Sequence, residues 1–546
     1  MKTMRRIYSI PYVMWLLLFV IAPVLMIIYQ SFFDMNGQFT LANYQTYFTS
    51  GTYLSMTINS VWYAFLITIF TLLVSYPTAY FLTKLKHKQL WLMLVILPTW
   101  VNLLLKAYAF IGIFSIHGSI NQFMSFMGLG THQILFTDFS FLFVATYIEI
   151  PFMIMPIFNA LEEMNPSLIS ASRDLGASSA ETFRRVIFPL SLNGVKSGVQ
   201  AVFIPSLSLF MLTRLIGGNR VITLGTAIEE HFLVTQNWGM GSTIGVILIV
   251  AMFIVMLLTG EKKKGRGKMQ KKKFKWSYVY LFVVFALLYA PIFYLIFYSF
   301  NDTQTMNQFT GFTLDNYRNV FEDTRLLTIV LNTFLLAFLS ALIATIIGTF
   351  GAMGIYYTKR RKNRNTLLSF NNILLVSPDV IIGASFLIFF TAVGFISLGF
   401  TSVLLSHIAF SIPIVVLMVL PKLQEMNDSM VDAARDLGAN NVQVIKNIIL
   451  PFLAPGIIAG YFMAFTYSLD DFAVTFFVTG NGFSTLSVEI YSRARQGISL
   501  EINALSALVF LFSMILVVGY YFISKDNTPK RLKKMRREQS EVAKLK

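Results

Sequence analysis

The chain has 546 residues, of which 56% are hydrophobic and 13% charged, with a mean hydropathy of +0.66. A soluble domain carries about 25% charged residues, so this composition excludes an ordinary soluble protein and indicates a membrane protein. Cysteine is absent, which excludes disulfides and thiolate metal sites, and the five histidines show no metal-binding spacing.

Apolar segments long enough to cross a bilayer recur about twelve times, since each crossing needs about 20 mainly apolar residues. We therefore expect an all-α, polytopic membrane protein with six transmembrane helices in each half. The first six spans are predicted near residues 12–33, 57–82, 90–114, 138–161, 195–216 and 242–260. The second six are predicted near residues 278–300, 328–357, 370–396, 399–421, 456–479 and 502–524.

The chain reads as two copies of one unit, because FTLANYQTYF at 39–48 closely matches FTLDNYRNVF at 312–321. An even number of spans in each half makes these parallel repeats, related by an axis along the membrane normal. We expect a first repeat at 1–260, a basic linker at 261–276, a second repeat at 277–525 and a basic tail at 526–546. The N-terminus has no small-residue cleavage site, which predicts an uncleaved first span.

Charge asymmetry predicts the orientation in the membrane. Of the 43 Lys and Arg residues, 36 fall on one side of the predicted spans and six on the other, with Lys106 inside a span. Basic loops stay cytoplasmic, so both termini and the linker are expected in the cytoplasm, with the linker against anionic lipid. Topology accounts for the net charge of +17, and nucleic acid is not an expected partner.

One polar stretch occurs twice on the predicted cytoplasmic side, as ISASRDLGASSAETFRRVIFPL at 169–190 and VDAARDLGANNVQVIKNIILPF at 431–452. Each copy predicts a short helix that begins after an Asn N-cap and ends at a glycine suited to the left-handed conformation. A second helix then begins at a capping box and is expected to end at a proline. The residues concerned are Asn165, Gly176, Ser178, Glu181 and Pro189, and Asn427, Gly438, Asn440, Gln443 and Pro451.

These stretches resemble the coupling loop of ATP-binding-cassette (ABC) importer permeases, whose pattern is roughly E-A-A, three residues, G, nine residues, I, two residues, P. The second copy departs little from it, whereas Ser170 stands at the acidic position of the first. The resemblance implies that both loops contact an ABC ATPase subunit, in two copies. The predicted coupling residues are Ser170, Ala171, Asp174, Gly176, Pro189, Asp432, Ala433, Ala434, Asp436, Gly438 and Pro451.

The segment at 465–508 is similar to the second permease subunit of spermidine/putrescine importers, and the segments at 204–218 and 237–238 are similar to the first. The resemblance implies that two permease subunits are fused in one chain of a prokaryotic plasma membrane. It also implies polyamine cargo delivered by an extracytoplasmic binding protein. No G-x-x-x-x-G-K-[ST] motif occurs, so ATP and Mg²⁺ are expected in the partner ATPase and no cofactor in this chain.

Intramembrane acids supply the physical argument for a cationic cargo. Asp470 and Asp471 lie inside the predicted fifth span of the second half, where an aspartate costs ~2.5–3.5 kcal/mol at the bilayer centre. A protonated polyamine would offset that cost, whereas the first-half equivalents are Ser208 and Leu209. The predicted substrate-binding residues are Asp470, Asp471, Glu149, Trp100, Tyr108 and Tyr467, with Trp62 and Tyr147 as further aromatic candidates for cation–π contact.

Three alternatives remain open at this stage. Glu149 and Lys106 could form an internal ion pair instead of a cargo site. The intramembrane acids could serve an ion-coupled secondary carrier that needs no ATPase. The cargo could be another small solute, such as a metal chelate, thiamine or an anion, although two intramembrane aspartates disfavour an anion. No nucleophile–base arrangement is recognisable, so we expect a transporter and not an enzyme.

Overall fold

The computed structural model describes residues 10–259, 275–303, 305–306, 308–497, 499–512 and 514–515. The described chain is helical, and its β contacts are two isolated bridges, Phe33–Phe39 and Asn301–Phe312. The all-α prediction is confirmed. The basic N-terminal residues 1–9, the predicted tail and residues 261–274 of the predicted linker lie outside the described residues.

The helices of the first half alternate between long spans and short connecting segments. They are α1 Ile10–Gln30, α2 Ala42–Thr49, α3 Gly51–Leu82, α4 Lys88–Ile96, α5 Leu103–Phe114, α6 Ser119–Phe126, α7 Asp138–Glu162, α8 Pro166–Asp174, α9 Ser179–Ser206, α10 Met211–Leu215, α11 Leu224–Glu229 and α12 Trp238–Thr259.

The helices of the second half follow the same order. They are α13 Lys275–Tyr298, α14 Asp315–Glu322, α15 Thr324–Tyr356, α16 Arg361–Val376, α17 Asp379–Val393, α18 Phe400–Glu425, α19 Asp428–Asp436, α20 Asn441–Asp470, α21 Ala473–Val478, α22 Leu486–Gln496 and α23 Leu500–Phe512.

Ten helices of the described chain are long and apolar enough to cross a membrane, or eleven when one bent pair counts as a span, against about twelve predicted. The bent pair is α16 and α17, which meet at 103° where a continuous span at 370–396 was predicted. The predicted span at 90–114 is also broken, since a 3₁₀ turn at Leu97–Trp100 separates α4 from α5. Of the predicted twelfth span at 502–524, the described part is α23 and residues 514–515.

The predicted proline stops before the fifth spans are wrong. Helices α9 and α20 run through Pro189 and Pro451, and each contains a π-turn immediately before the proline, at Phe183–Ile187 and Ile445–Ile449. A proline normally breaks a helix because it lacks an N–H and its ring meets the carbonyl four residues back. The π-turn already interrupts the regular hydrogen bonding at that point, so each proline lies in the first turn of a new α-helical segment of the same span.

The first helix of each half packs against helices of the other half. In α1 the Tyr12 hydroxyl donates to Asn371 Oδ1 of α16 at 2.9 Å, and Phe19 packs against Phe386 and Phe389 of α17. Helix α13 packs in return on the first half, where the Tyr289 hydroxyl donates to Leu94 O at 2.8 Å. Each first helix thus packs on the broken span of the other half.

Candidate functional site

Interrupted helices from both halves meet inside the molecule. Helix α5 begins after Asn102, α17 after Pro378, α9 ends at Ser206, and α20 ends at Asp470. Such interruptions leave backbone groups without helical partners, which membrane proteins tolerate where the backbone is buried in protein or lines a cavity. Discontinuous helices near the middle of a membrane are therefore a common setting for transported ligands.

Four carboxyl groups and one ammonium group gather at these breaks, and we call Glu149, Asp379, Asp470, Asp471 and Lys106 the acid cluster. Lys106 interacts electrostatically with Asp470 and Glu149, and Asp379 interacts with Glu149, Asp470 and Asp471. Carboxyl groups held this close repel one another when they are ionised, and a cationic ligand would relieve that repulsion.

Asp379 and Tyr467 form a wall of an internal space. Asp379 is exposed and Tyr467 has 41% of its surface exposed, although both are densely surrounded by protein atoms. That combination is expected of side chains that face a cavity. The Tyr467 hydroxyl lies 3.5 Å from Asp379 Oδ1, so an aromatic ring and a carboxylate face the same space.

The two adjacent aspartates make different contacts. Asp470 Oδ1 accepts a hydrogen bond from Leu103 N of the first half at 2.9 Å. Asp471 Oδ2 accepts from Thr475 N at 2.9 Å and from Thr475 Oγ1 at 2.7 Å, and lies 3.4 Å from His407 Nε2. Asp470 thus crosses the boundary between the halves, whereas Asp471 closes the helix break within its own half.

Lys106 does not pair directly with Glu149 in this structure. Its Nζ donates to Pro98 O at 3.2 Å, and no ion pair between the two residues is formed within the described chain. Both side chains are buried. The interpretation of Glu149 as half of an internal ion pair is therefore replaced by a longer-range electrostatic contact inside the acid cluster.

Among the aromatic candidates, Tyr467 lies beside an acid of the cluster. Tyr108 is buried and its hydroxyl bonds to the Ser499 backbone, and the buried Tyr147 hydroxyl donates to Leu288 O at 2.7 Å. Trp62 is exposed and stacks on Phe65. The side chain of Trp100 lies outside the described residues. Tyr108 and Tyr147 have structural contacts in this conformation, and a cargo contact for either stays a prediction.

Two residues of this region, Asp379 and His407, were not predicted from the sequence. Asp379 follows Ser377-Pro378 inside an apolar stretch, and a search for every intramembrane carboxylate would have found it. His407 is fully buried and contacts Ser468 and Thr475, but a lone histidine in a span carries no signal of such partners.

An aromatic cluster joins the halves next to the acid cluster. Phe210 of the first half packs against Phe472, Phe476 and Phe477 of the second half, with ring centroids 5.9–6.3 Å apart. Phe472 and Phe476 also pack on Tyr491 of α22. Since Phe472 follows Asp471 directly in the chain, the acids lie immediately beside an apolar contact between the halves.

An ion-pair network surrounds Arg493 at the end of α22. Its guanidinium donates to Glu489, Glu501 and Asp323 at 2.9–3.0 Å. Asp323 also caps α15, accepting from Leu326 N at 2.9 Å. That backbone hydrogen bond, together with Arg493, lowers the pKa of the Asp323 carboxyl below its ordinary value of 3.8.

The predicted polar stretches form a matched pair of short helices, α8 and α19, which we call the coupling helices. Asn165 and Asn427 cap them by accepting from backbone N–H groups at 3.0 and 3.1 Å. Gly176 and Gly438 end them with the same φ of +84°. The capping boxes of the following helices are present in both copies. The local structure predicted for these stretches is confirmed as far as the prolines.

Most predicted coupling residues are exposed, which is what a docking surface requires. Ala434 is the exception within the set, since it is 9% exposed. Leu175 and Leu437, just before the two glycines, are 88% and 89% exposed, and the sequence analysis did not single them out. Each coupling helix thus ends in an apolar tip surrounded by polar residues. The exposed set is Ser170, Ala171, Asp174, Gly176, Pro189, Asp432, Ala433, Asp436, Gly438 and Pro451.

Comparison with known proteins agrees with this duplicated architecture. The chain matches the model of the family described as "Binding-protein-dependent transport system inner membrane component" over residues 44–261 and 344–533. It is 36% identical over 249 residues to the spermidine/putrescine transport system permease protein PotC of Haemophilus influenzae, which covers 45% of this chain and 96% of that protein. It is 35% identical over 254 residues to the permease protein PotB of the same type of system in Escherichia coli K12, covering 45% of this chain and 92% of that protein.

Among solved structures, the chain is similar to a chain of a bacterial ABC transporter involved in the import of the acidic polysaccharide alginate. The TM-score is 0.42 and the identity 17%, over 47% of this chain and 94% of the other. The curated relatives are transporter permease subunits, and each covers about half of this chain. The chain therefore belongs to the family of binding-protein-dependent transport system inner membrane components, and it joins two such permease units in one multi-pass membrane polypeptide.

Proposed function

We propose that this chain is the permease of an ATP-driven importer of polyamines such as spermidine and putrescine. The observation that carries the proposal is the acid cluster, in which four carboxyl groups and one ammonium group meet at broken helices between the halves. The similarity to PotC and PotB supports the same cargo class. A linear polyamine carries several ammonium groups, so it can satisfy more than one of these carboxylates at once.

Asp379 and Tyr467 are the side chains best placed to meet the cargo first. Both face the internal space, and a carboxylate beside an aromatic ring offers an ammonium group an ion pair and a cation–π contact together. Asp470 and Glu149 extend the negative region towards the first half. The cargo would therefore lie across the boundary between the halves, where a relative movement of the halves changes its surroundings.

The remaining parts of the transport system are supplied by partners. An extracytoplasmic binding protein would deliver the cargo, and two copies of an ABC ATPase would use ATP and Mg²⁺ and bind the coupling helices. The exposed tips Leu175 and Leu437 suit apolar grooves on such a pair. The basic residues near the coupling helices support a cytoplasmic position for this face and for both termini.

Uptake of radiolabelled spermidine and putrescine in a bacterial strain without polyamine importers tests the proposal. The chain is expressed with the ATPase and binding protein encoded beside it, and each component is omitted in turn. Uptake that needs all three components is the expected result. Uptake by this chain alone would indicate a secondary carrier, and a stable complex with active ATPase but no polyamine uptake would refute the cargo.

The Asp379→Asn variant tests the site within the same assay. Removing the charge that faces the internal space is expected to raise KM for spermidine about tenfold. Glu322→Gln is the matched control, because Glu322 is exposed and pairs with Arg318 on a surface helix. Equal KM values for the two variants would remove Asp379 from the cargo site.

A further inference from the structure

We infer that Asp471 is a positioning residue, held by Thr475 and His407, and that this unit fixes the break in the fifth span of the second half. The inference deepens the proposed function and rests on it, because the residues positioned in this way are those assigned to the cargo. Its consequence is that two adjacent aspartates in one sequence motif have separate tasks.

The contacts of Asp471 are those of a structural acid. Its side chain is 6% exposed, and its Oδ2 accepts both the backbone N–H and the hydroxyl of Thr475. Helix α20 ends at Asp470, and α21 begins at Ala473, so the bonds from Asp471 to Thr475 join the two sides of the break. A carboxylate that accepts hydrogen bonds from the first turn of the next helix already has partners within the protein before any cargo binds.

His407 extends this unit to a neighbouring span. It belongs to α18, is fully buried, and lies 2.8 Å from Thr475 Oγ1 through Nε2 and 2.6 Å from Ser468 Oγ through Nδ1. Ser468 also accepts from Ser340 Oγ of α15 at 3.0 Å. His407 therefore touches α20 before the break and α21 after it, and it ties both to the adjacent spans.

One assignment of the protons satisfies these contacts together. The Thr475 hydroxyl donates to Asp471, so its oxygen accepts from the Nε2–H of His407. Nδ1 is then the acceptor for the hydroxyl of Ser468. The hydrogen bonds run in one direction from Ser468 to Asp471, and the loss of any member leaves a buried polar group without its partner.

The first half lacks this unit. At the constant offset of 262 residues, His407, Ser468, Asp471 and Thr475 correspond to Ala145, Ser206, Leu209 and Thr213. Within the described part of the chain the buried Ser206 hydroxyl has no hydrogen-bond partner, and the Thr213 hydroxyl donates to Phe210 O in its own segment. The network is thus confined to the half that carries the adjacent aspartates.

Asp470 differs from Asp471 in its contacts, although both residues are partly exposed. The Oδ1 of Asp470 accepts from Leu103 N of the other half, and its charge acts on Lys106. A side-chain amide at position 470 can keep the bond from Leu103 N, but it cannot provide a charge for an ammonium group. An amide at position 471 can keep both bonds from Thr475, so the corresponding substitution removes charge without removing the positioning contacts.

Spermidine uptake by the complete transport system separates the two roles. Asp470→Asn is expected to raise KM about tenfold, whereas Asp471→Asn raises it at most about threefold. Asp471→Ala and His407→Ala are each expected to raise KM about fivefold, and the double variant no more than the worse single one, because both disrupt the same unit. His407→Gln should recover much of the loss, since its amide can donate to Thr475. Purely structural damage would lower the amount of protein in the membrane without moving KM.

Two outcomes would overturn the inference. One is a KM for spermidine that rises as much in Asp471→Asn as in Asp470→Asn, which would make Asp471 a cargo ligand. The other is a double variant in which the KM increases of His407→Ala and Asp471→Ala combine independently, which would place the two residues in separate units.

A second measurement needs no cargo and separates failure of this inference from failure of the proposed function. The chain contains no cysteine, so Tyr467→Cys introduces a single thiol at the internal space. His407→Ala is expected to change its rate of maleimide labelling in the cargo-free protein, and His407→Gln to restore it. An unchanged rate would refute positioning by His407 even if spermidine is transported, and a changed rate would support it even if spermidine is not.

Discussion

The coupling helices and the fifth spans are both duplicated segments, but their two copies agree to different degrees. Gly176 and Gly438 share a φ of +84°, and both copies carry the same N-caps and capping boxes. In the fifth spans, by contrast, the equivalent positions carry different residues, which are Asp471 in the second half and Leu209 in the first. The backbone is repeated where two like elements would meet two like partner subunits, and the side chains differ where a single cargo molecule would pass between the halves.

The largest expected effect on uptake comes from disrupting the coupling helices, which have the same backbone structure in both halves. Valine at Gly176 or Gly438 should lower uptake about tenfold, because a left-handed conformation costs an L-residue about 1–2 kcal/mol and more for a β-branched one. Apart from the adjacent residues in the chain, no atom of the described residues lies within 4 Å of a Cβ built at either glycine, so backbone conformation and not crowding is the cause. Spermidine uptake and ATPase activity of the assembled complex measure the loss.

Gly51→Ala is the control, since Gly51 also has open space around it but no positive φ. Equal losses for Gly176→Val and Gly438→Val would confirm functional symmetry of the coupling helices. A much larger loss at one of them would show that the halves are coupled unequally, as the difference between Ser170 and Asp432 allows.

The next largest effect tests whether an acid in a fifth span requires the neighbouring residues that bond to it. Leu209→Asp places a carboxylate at the first-half equivalent of Asp471, where the position of His407 is occupied by Ala145. An acid without that partner is expected to reduce the amount of folded protein severalfold, as a poorly compensated carboxylate does inside a membrane. Leu209→Asn adds no charge, so it should reduce the amount of folded protein less. The amount of protein recovered from membranes is the measurement.

A smaller effect compares the two arginine clusters near the ends of the fifth-span segments. Arg493 bonds three acids at 2.9–3.0 Å, whereas Arg214 bonds Glu229 at 3.0 Å and lies 3.7 Å from Glu230. Arg493→Ala should therefore lower Tm by a few degrees more than Arg214→Ala, because it removes charge-assisted hydrogen bonds to three carboxylates instead of to one. Thermal unfolding in detergent measures the difference, and the reverse order would contradict it.

The smallest effect is pH-dependent and concerns Asp323. Because its folded pKa is lowered, its charge contributes stability that is complete above the ordinary value of 3.8 and is lost as the pH falls through the folded pKa. Asp323→Asn keeps an acceptor for Leu326 N but loses the charge, so its Tm should be about 2 °C lower at neutral pH. The difference should disappear in strong acid, and a constant difference across the pH range would exclude the electrostatic explanation.

The sequence predicted the coupling helices well because their structure is local. An Asn N-cap, a Ser178–Glu181 capping box and a glycine with open space depend on neighbours within a few residues. The interruption at Pro378 and the burial of His407 depend on contacts with other spans, and hydropathy does not distinguish a straight span from one bent by 103°. The wrong expectation for Pro189 and Pro451 has the same origin, because the sequence rule for proline does not include a preceding π-turn.

The exchange of first helices has a consequence for the order of biosynthesis. Tyr12 is synthesised more than 300 residues before its hydrogen-bond acceptor, Asn371. Until then α1 lacks the surface of α16 and α17 that it covers in the finished protein. The first half alone therefore leaves part of the surface of α1 uncovered until the second half has been made.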